Sequence, residues 1–359
     1  FERLDSNMKF YNIDMHISVI ADMKKIFESL GHEVDDVSLS DHTWVFNRKK
    51  DSIPLLDNGN WMRLSADDMS DQFYDRYKDE LNNYDAFIVT YPPPFSLLYK
   101  KFDKPIIINV PIRYEWPFSF RAHEWRKFND FLKNGVDEGR IILVANNLTD
   151  KIYTEAYLDR EVKHIPSFCD YFPEEYTGDK KDFLYYSKQR MLELDSIGVK
   201  YKPDVLQNHS YEDLLAYRGI VHIPYACSYM SIFEQYAANV PLFVPDIDLL
   251  CKLYSEGRAF SEILFSKMYN TMSQVTPRDT SFDPNNYTSM SVIKKLAEGS
   301  DFYDPEWMPS VTQFSSFDHL NEILLSCDTK KISDKMKEDN KKRKSKIYAE
   351  WDSIIKSIS

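Results

Sequence analysis

Apolar residues in the first half of the chain fall at two alternating spacings. Short runs at 8–13, 33–39, 85–90, 105–110, 140–146 and 162–165, several of them densely apolar, predict strands. Between them the apolar positions recur every three or four residues. Ile17, Ile20, Met23, Ile26, Phe27 and Leu30 form one such stripe, a helix over 17–30 that stops at Gly31. Further helices are predicted at 67–81, 124–133 and 150–158, with 40–65 irregular. Tyr91-Pro92-Pro93-Pro94 and Pro111 end two of the strands.

The second half repeats the alternation. Strands are predicted at 182–186, 219–223 and 241–244, a short helix or turn at 188–194, and helices at 211–217, 231–239, 248–256 and 317–326. Residues 270–310, rich in Pro, Ser, Asn and Asp, read as loops and turns. The stretch 334–358 reads as a long charged helix with apolar points at Ile347, Trp351, Ile354 and Ile355. Strands alternating with helices predict parallel sheets covered on both faces, an α/β fold. Pro, Gly and charged residues cluster at 167–181. The expected organisation is therefore 1–170, 171–333 and a terminal helix at 334–359.

Composition narrows the function. The net charge of −12 argues against a phosphate backbone as partner, so no nucleic acid is expected. Cys169, Cys227, Cys251 and Cys327 are widely spaced and match no zinc pattern; a reduced, cytoplasmic setting is the simple reading. The sequons at Asn147, Asn208 and Asn286 are then incidental. No signal peptide or transmembrane run is visible, and Lys/Asn/Tyr richness hints at an AT-rich genome such as that of a large DNA virus, with the host cytoplasm as location. With nine glycines and neither GxGxxG nor GxxxxGK[ST], any phosphate site must use a helix start and side chains.

The stretch 222–245 meets that need. His222, at a strand end, reads as a core histidine. A loop then carries Ser228, Tyr229 and Met230 to Ser231, an N-cap with Glu234 three residues on: the S-x-x-E box. A helix start beside the carboxyl end of a parallel strand attracts anions. The run Ser231-Ile232-Phe233-Glu234, with Ala237 and Pro241, resembles the donor-domain signature of GT-B glycosyltransferases. The resemblance is clearest over about 25 residues. It implies two Rossmann-like domains with parallel sheets facing across a cleft, Glu234 as the ribose ligand, and residues 228–231 as the diphosphate loop. The sequence departs from the pattern at Ala226 and at Asn239-Val240, which leaves family and stereochemistry open.

The resemblance also implies that Ser187, Lys188 and Arg190 face the diphosphate in place of a metal, and that His209 lies near the base. It places the junction Asp14-Met15-His16 toward the acceptor, with His16 as general base oriented by Asp14, and His42 as another candidate. Asp14 as a simple N-cap is the structural alternative. Arg113, Tyr114 and Glu115, next to Trp116, suit a sugar acceptor or a structural ion pair, and Tyr91 an acceptor-cleft edge or a plain turn. Asp246 and Asp248 have D-x-D spacing but read as a helix cap, and the basic run 341–346 as a solvated helix face. The expected chemistry is metal-independent transfer, without cofactor, from a UDP-, GDP- or dTDP-linked sugar to a hydroxyl of a glycan or other acceptor. A nucleotide-sugar 2-epimerase and a non-catalytic glycan- or nucleotide-binding protein are the alternatives.

Overall fold

Strands form where the apolar runs are densest. A computed structural model describes residues 7–56, 59–63, 65–262 and 275–359. In it β1 (Lys9–Asp14), β2 (Glu33–Ser38), β3 (Ala86–Val89), β4 (Ile106–Val110), β5 (Ile141–Ala145) and β6 (Lys163–His164) form one sheet in the order β2-β1-β3-β4-β5-β6. Every pairing is parallel. β3 and β4 are buried at every residue, as strands covered on both faces must be. The crossovers carry α1 (Ile17–Ser29), α2 (Ala66–Leu81), α3 (Ala122–Asp137) and α4 (Leu148–Leu158). Ser65 and Asn147 cap α2 and α4 by accepting from the third backbone N–H.

A second parallel sheet holds β7 (Leu184–Tyr186), β8 (Lys200–Tyr201), β9 (Ile220–His222), β10 (Leu242–Pro245) and β11 (Thr312–Phe314) in the order β11-β10-β9-β7-β8. Its helices are α5 (Leu192–Ser196), α6 (Lys202–Val205), α7 (Tyr211–Leu215), α8 (Met230–Ala237), α9 (Ile247–Ser255), α10 (Met290–Glu298), α11 (Phe317–Ser326) and α12 (Thr329–Ile358). The fold is thus α/β, with two Rossmann-like parallel sheets. No described helix is long and apolar enough to cross a membrane.

The chain divides into two compact units. The first comprises Phe1–Ser167, Asn270–Pro284 and Ile347–Ser359, and the second Phe168–Tyr269 and Asn285–Lys346. The division falls inside α12. In the second unit its Asn340 amide donates to the Tyr236 carbonyl (2.7 Å) and to Asn239 Oδ1 (2.9 Å). In the first unit its Trp351 lies edge-on to Phe27, ring centroids 5.4 Å apart, with Ile347, Ile354 and Ile355 buried beside it.

Four local expectations are corrected. Within 270–310, the described part contains α10, whose Val292, Ile293, Leu296 and Ala297 are buried; residues 270–274 lie outside the described residues. β8 and β11 are two and three residues long, too short to leave a periodic signal. The short helix or turn at 188–194 is α5, which starts only at Leu192. Ser231 is not an N-cap: α8 starts after Tyr229 and has no side-chain cap. The capping box lies instead at α7, where Ser210 and Asp213 bond each other's backbone N–H.

Candidate functional site

In the second unit the side chains of interest gather at the carboxyl ends of β7, β8 and β9. Tyr186 and His222 are register partners. His222 is fully buried between Tyr229 and α8. Its Nε2 lies 2.6 Å from Gln235 Oε1 and its Nδ1 3.0 Å from the Tyr229 hydroxyl. An amide oxygen only accepts, so Nε2 carries the proton and Tyr229 donates to Nδ1. Burial pushes the His222 pKa down to about 4, so the ring stays neutral and fastens β9 to α8. The Tyr229 hydroxyl is therefore part of this structural bond, which leaves its backbone for the 228–231 loop. Met230 is buried, whereas Ser228 and Ser231 are half-buried with hydroxyls that have no partner among the described residues.

Glu234 lies one turn into α8 and is half-buried. Its Oε1 accepts from the hydroxyls of Tyr171 and Tyr211, the latter at 3.2 Å. Its Oε2 has no partner among the described residues. Burial raises the Glu234 pKa, and the two tyrosine donors offset only part of that rise. Phe172 stacks on Tyr211 at 4.0 Å and holds that donor in place. Sequence reasoning missed both tyrosines, because Tyr171 lies in an apparent linker and Tyr211 has the pattern of an ordinary helix start.

The expected diphosphate cations are engaged elsewhere. Lys188 Nζ is 2.9 Å from Glu262 and 4.4 Å from the Tyr225 ring centroid. Arg190 is held by Asp195 (2.6 Å) and Asp204 (2.7 Å). Ser187 Oγ accepts only a long bond from the Gln189 N–H, 3.4 Å. Sequence reasoning also missed Lys202, a half-buried cation with no acid partner among the described residues, 5.8 Å from the Tyr186 ring centroid. Burial lowers its pKa. His209 is near enough to feel its charge, and the buried His209 Nδ1 has no partner.

In the first unit a second cluster sits at the end of β1. Asp14 is buried; its Oδ1 accepts from the His16 backbone N–H (2.7 Å) and the Ser38 hydroxyl (3.2 Å), while Oδ2 has no partner. The carboxyl thus fixes the loop that presents His16, but it does not orient the imidazole, whose buried Nδ1 is unpartnered. That corrects the expected Asp14–His16 relay. It also corrects the alternative in which Asp14 is the cap, since His16 itself occupies the N-cap position of α1. Burial, then the charge of His42, lowers the His16 pKa. His42 is exposed, and Tyr91 packs edge-on to His16 at 6.0 Å with Trp61 behind it at 6.2 Å.

Burial pushes the Asp14 pKa up to about 8, with repulsion from Asp36 adding to it. The folded chain therefore keeps a proton that an unfolded aspartate, with its ordinary value of 3.8, has lost. Folding takes up a proton in this window, and stability falls as pH rises toward 8. Asp14→Asn removes that dependence. From about pH 5 to about pH 7 its stability relative to wild type should climb by up to about 1.4 kcal/mol per pH unit. Denaturant melts across pH would read this; a constant difference would mean that Asp14 is ionised in the fold.

Arg113, Tyr114 and Glu115 lie in a separate buried network. Arg113 pairs with Asp150 rather than with Glu115, and its guanidinium lies 4.8 Å from the Tyr153 ring centroid. Asn147 bonds the second oxygen of Asp150 at 2.8 Å. Tyr114 is fully buried, accepts from Trp125 (2.8 Å) and donates to Asn129 (2.7 Å). It offers no open face for a sugar. Glu115 accepts from Tyr153 and Ser119, and burial pushes its pKa up to about 7. The structure pairs Arg113 with Asp150 in a buried position, in place of an Arg113–Glu115 ion pair at a domain surface.

No protein-family model matches the chain, and no curated protein matches it. Among solved structures it is similar to the glycotransferase of kitacinnamycin, at 10% identity and a TM-score of 0.46, over 99% of this chain and 100% of that one. It is similar to the glycosyltransferase SnogD from Streptomyces nogalater, at 11% identity and a TM-score of 0.47, over 97% and 99% of the two chains. It is also similar to the spinosyn rhamnosyltransferase SpnG complexed with spinosyn aglycone, at 11% identity and a TM-score of 0.38, over 92% and 96%.

Proposed function

We propose that the protein transfers a sugar from a nucleotide-sugar donor to an acceptor hydroxyl, with no metal required. The observation that carries this reading is Glu234. A half-buried carboxylate stands one turn into a helix after a central parallel strand, with one oxygen held by two tyrosines and the other open. That is the chemistry of a ribose ligand, because an ionised carboxylate accepts from vicinal hydroxyls. The start of α8 adds backbone N–H groups without a side-chain cap, and Ser228 and Ser231 add hydroxyls, a setting that favours a diphosphate.

In this reading the second unit binds the donor and the first carries the acceptor and the base. His16, kept neutral by burial, removes the acceptor proton. The freed oxygen bonds to the anomeric carbon as the bond to the nucleoside diphosphate breaks. The leaving group departs with its electron pair, stabilised by the amide-rich start of α8.

The test is titration of the full chain with a panel of nucleotide-sugars. At least one should bind saturably, and Glu234→Ala should weaken it about a hundredfold, the scale of two lost charge-assisted hydrogen bonds. No binding by any donor, or unchanged binding to the alanine variant, would remove the proposal. Product formed without an acceptor would point to the epimerase instead.

A further inference from the structure

We infer that Lys202 reads the nucleobase of the donor through an exocyclic oxygen. The inference rests on the proposed donor site and adds to it the residue that selects the base. Tyr211 bonds Oε1, the held oxygen of Glu234, at 3.2 Å. Tyr211 follows His209 by two residues, and the buried His209 Nδ1 has no partner. Lys202 directly follows β8, at the edge of the sheet, and lies over Tyr186 of β7. The loop 228–231 follows β9, on the other side of β7.

A nucleotide carries its phosphates and its base on opposite flanks of the ribose. With the ribose on Glu234 and the phosphates at the start of α8, the base points toward the β8 edge. There it meets an ammonium with three donors and no acceptor, half-buried and without an acid partner among the described residues. Uracil, thymine and guanine offer such a group an exocyclic oxygen. Adenine presents an exocyclic amine in place of that oxygen, so donor would face donor there and only a ring nitrogen could accept. A site built around a polar partner rejects the analogue that lacks it.

Calorimetric titration of the full chain with UDP, dTDP, GDP and ADP tests this. At least one of the first three should bind at least about tenfold tighter than ADP, the scale of one hydrogen bond to a charged group. Lys202→Met keeps the stem over Tyr186 and should lose about that factor for the preferred nucleotide, while ADP is unchanged. Lys202→Arg, which keeps a cationic donor, should restore discrimination. Equal losses for all four nucleotides would mean that Lys202 reads the phosphate and would overturn the inference, as would ADP binding wild type as tightly as the others. Binding by none of the four would overturn the donor-site proposal itself, and this inference with it.

Discussion

His16→Ala should lower kcat by about 10²- to 10⁴-fold, the contribution of a positioned general base, while leaving donor affinity unchanged. The structure separates these effects. His16 follows the end of β1 in the first unit, and the residues proposed to bind the donor, Glu234, Ser228 and Ser231, all lie in the second. The side chain makes no cap bond to α1, so its loss should leave folding intact. The pH profile gives an independent reading. Burial holds the His16 pKa below the ordinary value of 6.5, so the ring remains neutral through that pH. The acid limb of kcat/KM should lie below the usual histidine range and vanish in the alanine variant. Wild-type turnover by His16→Ala with donor bound would exclude this base.

Arg113→Met should have the largest effect on stability, about 3–5 kcal/mol, because it leaves the Asp150 carboxylate buried and unpaired. For a unit of this size the loss corresponds to a fall in Tm on the order of 10 °C. Adding Asp150→Asn should recover most of it. The amide keeps an oxygen for Asn147 and a backbone N–H under the α4 cap, but carries no charge. The pair of measurements distinguishes a structural arginine from one that holds an acceptor. If Arg113 bound the acceptor, the single variant would melt near wild type and raise the acceptor KM instead.

What the sequence made legible follows from how local each feature is. α1 and β3 are written in contiguous residues, so their periodicity can be read directly. The helix bearing Glu234 was legible for the same reason, but its cap was not. In place of the S-x-x-E pattern at Ser231, α8 starts after an extended Tyr229, whose hydroxyl bonds His222, a partner distant from the cap in the local pattern. The partners of Glu234 come from positions 171 and 211, and nothing in a one-dimensional pattern brings those tyrosines to one carboxylate. The cations show the same limit. Asp195 lies only five residues from Arg190, but Asp204 and Glu262 reach Arg190 and Lys188 from farther along the chain, where chain order suggests no pairing. Lys202 opens a four-residue helix after a strand of two residues and gives no periodic sign at all.

Trp351 has a bearing on how the molecule is made. Phe27 belongs to α1, and the indole that covers it is translated more than three hundred residues later. At the usual pace of synthesis the nascent amino-terminal sheet waits many seconds with that aromatic face bare. Any chaperone that attends this chain should find its binding surface on α1, and should lose it only when the final turns of α12 emerge.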